Sequence, residues 1–272
     1  MIGGLLSDLS LYGRLIGMQL RSQAQYKANL VIDIGTYFFI TSAEFFGVII
    51  VFASFPSLLG WHLGEVALLY SATSMAFGLS ELVGAGIDNF VETIRRGEFD
   101  RVLLRPVGAF LQVIGSDFRL RRLGRLSEGL LAFFVSLHFL VGLHWTLAKV
   151  AALLIGVVSG GAIFISVLLL GATVCFWTVE TTEMVNIFTY GGREMMSYPI
   201  TIYNRLMQTI FMFVVPVAFG SFVPISYVLD RPLPFGLPAW LAFCAPIVAL
   251  VFALVSGLFW RFGVRHYQSS GS

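Results

Sequence analysis

Long apolar runs alternate with short polar ones along this chain, and the pattern predicts six membrane spans: Leu30–Phe55, Glu65–Ile87, Leu126–Trp145, Val150–Val179, Ile210–Leu229 and Ala239–Trp260. At about 1.5 Å of rise per residue, runs of this length cross a hydrocarbon core of roughly 30 Å. The fourth run reaches about 45 Å if continuous, so it must tilt, protrude or break near Ser159-Gly160-Gly161. Pro216 and Pro224 remove backbone donors inside the fifth and should bend it. Ahead of the first span, Ser7–Lys27 sets Leu9, Tyr12, Ile16 and Leu20 on one helical face and Arg14, Arg21 and Gln25 on the other. That pattern predicts a helix lying on the membrane surface. Residues 180–205 mix Glu180, Glu183, Arg193 and Glu194 with apolar side chains and read as an interfacial or cytoplasmic connection.

Two finer periodicities suggest helix contacts. Ala76, Ser80 and Gly84 recur every four residues and form a flat surface for a neighbour, and Gly156 with Gly160 makes a G-x-x-x-G, a weak signal for dimerisation.

The longest polar interlude, residues 88–125, reads DNFVETIRRGEFDRVLLRPVGAFLQVIGSDFRLRRLGR. At its start Ile87, Phe90, Val91 and Ile94 form one apolar stripe on a short helix, with Asp88, Glu92, Arg95 and Arg96 off it. Gly97 breaks that helix; Asp100 can cap a second one over Arg101–Arg105, which Pro106 stops. A stripe of this kind on a compact loop is shaped to dock into a groove on another protein.

Composition agrees with the pattern. With 57% hydrophobic and 12% charged residues in 272, and a mean hydropathy of +0.87, the chain is predicted to be an all-α integral membrane protein with a single transmembrane domain over 1–272 and no room for a soluble one. Its charge is placed unevenly. Fifteen of the Lys and Arg residues (Arg14, Arg21, Lys27, the eight arginines of 88–125, Arg193, Arg205, Arg261 and Arg265) fall at one set of span ends, and only Lys149 and Arg231 at the other. The positive-inside rule therefore puts both termini and the loop in the cytoplasm.

Candidate chemistry is sparse. No serine-protease, zinc or diphosphate motif is present, and His62, His138, His144 and His266 are scattered. Cys175 and Cys244 sit in apolar runs as small hydrophobes, so neither a disulfide nor a metal site is implied. Lys27 and Lys149 follow Tyr26 and Ala148, so there is no phosphate loop, no catalytic constellation and no nucleotide site; ATP-driven work must be powered by a partner. What remains are carboxylates inside the spans. Asp33 and Glu44 share one face of the first, Glu81 and Asp88 one face of the second. Glu44 and Glu81 lie deep, where a charge costs at least about 2.5 kcal/mol, so they are expected to line a translocation route or to hydrogen-bond a Ser, Thr or Tyr of an adjacent helix. No Arg or Lys is expected deep enough to pair with them.

The interfacial helix, the six spans and the loop segment RRGEFDRVLLRP together resemble the permease subunits of ATP-binding-cassette exporters of the ABC-2, or type V, class. The carrying residues are Arg95, Arg96, Gly97, Asp100, Leu103, Leu104 and Pro106, with Tyr198-Pro199 ahead of the fifth span matching a bacterial ABC-2-like subgroup. The resemblance implies that Asp88, Phe90, Val91, Ile94, Arg95, Arg96, Gly97, Asp100 and Arg101 form an ATPase-coupling helix and its exit. It further implies a separate ATPase subunit that binds ATP and Mg, a second permease chain, identical or paralogous, lipids but no nucleic acid as other partners, and a place in the bacterial cytoplasmic (inner) membrane. Relatives that move long polysaccharides tend to have aromatic channels, and the sequence assigns the 26 Phe of this chain to no particular face, so the substrate stays open; export of an amphiphilic or drug-like molecule is the favoured expectation. The rival is an ion-coupled secondary transporter using Glu44 and Glu81, against which stands the lack of an internal repeat.

Overall fold

The computed structural model describes residues 2–140, 142–178 and 187–268. Val179, Glu180 and Glu183 lie outside the described residues, as does the side chain of Leu9. Helices and short connections make up the described residues, with no β-strand among them. The long elements are α1 (Ile2–Gln25), α2 (Lys27–Ser54), α3 (Leu63–Asp88), α7 (Leu123–Phe139), α8 (Leu147–Val174) and a last helix, Ala245–His266; between α3 and α7 run the short helices α4 (Phe90–Arg95), α5 (Phe99–Leu103) and α6 (Ala109–Ile114).

Among the described residues, four stretches are long and apolar enough to cross a membrane: α2, Leu63–Arg95, α8 and Ala239–His266. At 17 residues, α7 spans only about 26 Å. It stops at Phe139, short of the predicted Trp145, and starts three residues earlier than expected.

Helix α3 is the central element, packed between α7 and α8. Its start is held by Glu65, whose Oε2 accepts from the His62 N–H at 2.9 Å. The same carboxylate takes two bonds from Arg231, at 2.7 and 2.8 Å, so the 229–238 loop is pinned over the start of α3. At the start of α8, Lys149 Nζ donates to Asp230 at 2.5 Å. These pairs define one end of the bundle; the 88–122 loop and the end of the last helix define the other.

The small-residue row predicted on α3 makes its contact. Ala76 lies against Gly160, and Gly84 against Ile165 and Leu168 of α8. Helix α8 is continuous through Ser159-Gly160-Gly161, and its G-x-x-x-G is spent within the chain: Gly156 faces Pro224 and Gly160 faces Gly220. Of the three alternatives for this run the break is excluded, and the G-x-x-x-G serves contact within the chain, because small residues let another backbone fill the space above them.

The largest departure is the fifth apolar run. Ile210–Leu229 is no span: a π turn (Ile210–Val214), a 3-10 turn (Val217–Gly220) and a short helix (Phe222–Val228) follow one another across Pro216. This stretch dips to Gly160 in the middle of α8 and returns to Asp230 at the end from which it came. The climb between the two ends is made instead by residues 187–205. Tyr190 packs edge-on against Phe77, the Met196 carbonyl accepts from Thr73 at 2.8 Å, and Arg205 sits 4.6 Å over the Phe235 ring in the 229–238 loop. The region read as a connection is thus part of the core, with Arg193 2% exposed.

Outward, α2 shows Val31, Ile32, Phe39, Phe46 and Ile50, and the last helix shows Ile247, Leu250, Leu254 and Leu258. Apolar surface of this extent suits hydrocarbon. Helix α1 turns Tyr12, Ile16 and Leu20 partly inward and leaves Arg14, Arg21 and Gln25 exposed, as its pattern predicts.

Candidate functional site

The polar loop is built on an aromatic cluster. Phe90, Phe99, Phe176, Trp260 and Tyr267 meet at ring separations of 5.0 to 5.7 Å in most pairs, and Ile87, Ile94 and Val113 close round them. Phe90 is 0% exposed. The stripe expected to dock into a partner therefore faces the chain's own core; amphipathic periodicity shows that one face is buried and leaves open against what. Of the sequence-predicted coupling residues, Val91, Gly97 and Asp100 are half-buried and Arg95, Arg96 and Arg101 exposed. Tyr267 packs edge-on against Phe99 at 5.0 Å, and burial, with the nearby Asp100 carboxylate adding to it, raises the phenol's pKa. The loop is thereby tied to the C-terminal end of the last helix. Beyond it Leu103 and Leu104 stand out, Leu104 at 85% exposure, beside the exposed Arg101 and Arg105.

Directly behind this loop lies an ion network inside the bundle. Glu81 of α3 accepts from Tyr37 of α2 at 2.9 and 3.1 Å, from Arg125 Nε at 2.8 Å, and from Arg122 Nη1. Arg122 also donates to the Tyr37 hydroxyl at 2.6 Å and reaches Asp88 at 3.7 Å. Arg125 extends to Glu44 at 3.4 Å. Glu44 in turn is held by Arg193 at 2.5 Å, which also bonds Tyr70 at 3.3 Å and Glu194 at 2.5 Å. The Phe77 ring lies between two guanidiniums, 5.4 Å from that of Arg125 and 5.9 Å from that of Arg193. A second buried acid, Glu128, accepts from Ser74 at 2.5 Å.

Pairing is what makes such burial tolerable. A lone charge at this depth is costly, and a guanidinium that gives several bonds to carboxylates and phenols offsets the loss of water. Glu44 differs from Glu81 in keeping a wet or lipid-facing side, its side chain 37% exposed against 4%.

Glu81 and Asp88 do share a face, since Arg122 bridges them, and Glu81 does bond a tyrosine of the adjacent helix. Asp33 stays apart at the α1–α2 junction. The expectation that no cation reaches Glu44 and Glu81 is overturned by Arg122, Arg125 and Arg193. By charge the first two belong to the polar loop; in the structure a 3-10 turn, Leu120–Arg122, swings them inward as α7 begins. With Arg122, Arg125 and Arg193 inside the bundle and Arg205 at the opposite end, the tally of Lys and Arg at the two ends is eleven against three, still uneven. A usable signal was present: Arg122, Arg125 and Glu128 follow at steps of three, which on a helix is one face. Among the described residues no group of His, Cys, Asp and Glu could hold a metal ion.

Compared with known proteins, residues 38–271 match the family model described as ABC-2 family transporter protein. No curated protein and no solved structure matches the chain.

Proposed function

Since the chain belongs to the ABC-2 transporter family and is a multi-pass membrane permease of an ABC transporter, we propose that it is the exporter type, moving an amphiphilic or drug-like substrate outward across the cytoplasmic membrane while a separate subunit hydrolyses ATP. Both termini and the 88–122 loop then face the cytoplasm, and the ATPase subunit docks on the loop's exposed rim: Arg95, Arg96, Arg101 and the protruding Leu103 and Leu104. Phe90 and Ile94 act from behind, as the aromatic seat that makes the loop move as one body with the last helix.

The observation that carries this reading is the unbroken line of ion pairs from Asp88, at the root of the loop, through Arg122, Glu81 and Arg125 to Glu44 and Arg193. A displacement of the loop cannot leave these pairs unchanged. Arg122 Nε, Arg193 Nε and Glu128 Oε1 make no hydrogen bond within the described residues, which leaves donors and an acceptor for a second arrangement. Secondary transport is disfavoured by the same geometry, because Glu81 is engaged by two guanidiniums and a phenol of this chain and is 4% exposed rather than open to a transported ion.

Two loop variants separate seat from rim. Arg101→Glu with Leu104→Asp changes exposed side chains, so the melting midpoint should stay within about 2 °C of wild type while co-purification of the ATPase subunit and transport-linked ATP hydrolysis fall away. Phe90→Glu with Ile94→Glu buries two carboxylates in an aromatic cluster and should instead abolish monodisperse protein. If the rim variant still brings down the ATPase in wild-type amount, docking is elsewhere. If no ATPase accompanies folded wild-type protein from native membranes, the coupled-exporter reading fails.

A further inference from the structure

At the junction of α1 and α2, on the outer side of the turn that carries Arg122, an open cleft of about 420 Å³ is lined by Ser22, Tyr26, Leu30, Asp33, Arg119 and Arg121 among others. It is a constructed feature. Gln23 of α1 donates to the Phe118 carbonyl at 2.5 Å and accepts from the Leu120 N–H at 2.9 Å, so the segment bearing the two arginines is fastened across the end of α1. Gln19 adds a bond to the Gly115 carbonyl at 2.8 Å. Arg119 is partly satisfied by Asp117, at 2.6 Å. Arg121 and Asp33 have no partner among the described residues, and both are exposed.

The position of the cleft says what kind of molecule reaches it. Leu30 and Asp33 lie in the first two turns of a membrane span, which is the depth of lipid headgroups, and Ile40, two turns deeper on Asp33's side of α2, is exposed. A ligand here has its polar part in the cleft and its apolar part against α2. The charges sharpen the choice. Two arginines recognise a phosphate, which guanidinium binds with paired hydrogen bonds. An unpaired carboxylate in the same cleft repels a simple anion and calls for a cation carried by the same ligand, preferably one with N–H groups to donate.

We propose that this cleft binds a phosphoethanolamine group, and that its source is the headgroup of a bilayer phosphatidylethanolamine: phosphate on Arg119 and Arg121, ammonium on Asp33, acyl chains past Ile40. The inference needs only that the chain sits in a bilayer and is independent of the direction of transport. Because Arg121 and Arg122 share one turn, a seated headgroup also steadies the turn that feeds the ion network.

Native mass spectrometry of the delipidated protein, titrated separately with phosphatidylethanolamine, phosphatidylcholine and phosphatidylglycerol, tests it. Phosphatidylcholine has the charge but no N–H, and phosphatidylglycerol has the phosphate but no cation. Wild type should retain phosphatidylethanolamine roughly three- to fivefold better than either, the scale of one exposed ion pair. Asp33→Asn should erase that preference while keeping phospholipid binding, and Arg121→Gln should weaken all three lipids together. Equal retention of the three lipids by wild type overturns the proposal without recourse to any variant, as does a preference that survives Asp33→Asn. Displacement of the lipid by millimolar soluble O-phosphoethanolamine would assign the cleft to a soluble solute and overturn the lipid as its source.

Discussion

Glu81→Ala is expected to lower the melting midpoint of the detergent-solubilised protein by roughly 10 °C, from a loss of about 3–5 kcal/mol when one partner of a buried pair is removed and about 2–4 °C per kcal/mol in a chain of this size. The reason is local. Glu81 is the acceptor on which Tyr37, Arg122 and Arg125 converge, and its side chain is 4% exposed. Without it Arg122 keeps Asp88 at 3.7 Å and Arg125 keeps Glu44 at 3.4 Å, both long contacts. Two buried guanidiniums then lack a close carboxylate. Glu81→Gln retains the hydrogen-bond acceptor and should fall between. Combining Glu81→Ala with Arg122→Met removes one orphaned charge and should recover part of the loss, the non-additivity that marks a direct pair. A midpoint within about 2 °C of wild type for Glu81→Ala would mean that the network contributes nothing to holding α2, α3 and α7 together.

The second large effect is expected at Gly220. There the re-entrant stretch touches α8 backbone to backbone: a Cβ on Gly220 would fall 2.4 Å from Gly160 Cα, and one on Gly160 would fall 2.7 Å from Gly220 Cα and 2.9 Å from Ala76 Cβ. Main-chain atoms cannot rotate away as a side chain can, so Gly220→Ala must lift the whole 217–228 segment off α8. Overpacking of this kind costs about 1–3 kcal/mol, and with backbone on both sides the upper part of that range applies, a midpoint drop of roughly 5–8 °C. Gly47→Ala and Gly257→Ala are the matched controls, since nothing lies within 4 Å of either Cβ; alanine is the better helix former, so both should be neutral or slightly stabilising. If Gly220→Ala behaves like these controls, the re-entrant stretch is not seated on α8 as described. Gly160→Ala with Gly220→Ala should cost less than the two single changes added, because both relieve or load the same contact.

These two sites mark how far the sequence could be read. Hydrophobic runs report length and apolarity, and those are sufficient for α2, α3, α8 and the last helix, whose apolar stretches need no partner to be recognised. The small-residue row on α3 was legible too, because a four-residue repeat is local to one helix. The fifth run was misleading for a physical reason. A re-entrant segment packed inside a bundle is as apolar as a spanning one, so Ile210–Leu229 and a true span look alike until Gly220 is found against Gly160. Residues 187–205 erred the other way. Arg193 and Glu194 read as surface, yet Arg193 is buried because Glu44 lies 149 positions away in sequence and 2.5 Å away in space.

The sequence by itself determined that this chain lives in a membrane, where its longest helices lie, that a compact charged loop follows the second of them, and, by the match over residues 38–271, the ABC-2 family to which it belongs. Those properties depend on composition, on period and on residues close together in the chain. Only the tertiary structure decided that Phe90 and Ile94 seat the loop on Phe176 and Trp260, that Glu44 and Glu81 are bound to Arg122, Arg125 and Arg193, and that Arg121 and Asp33 share one cleft. Each depends on which distant partner neutralises a charge or covers an apolar face, and periodicity along one helix carries no information about what stands opposite it.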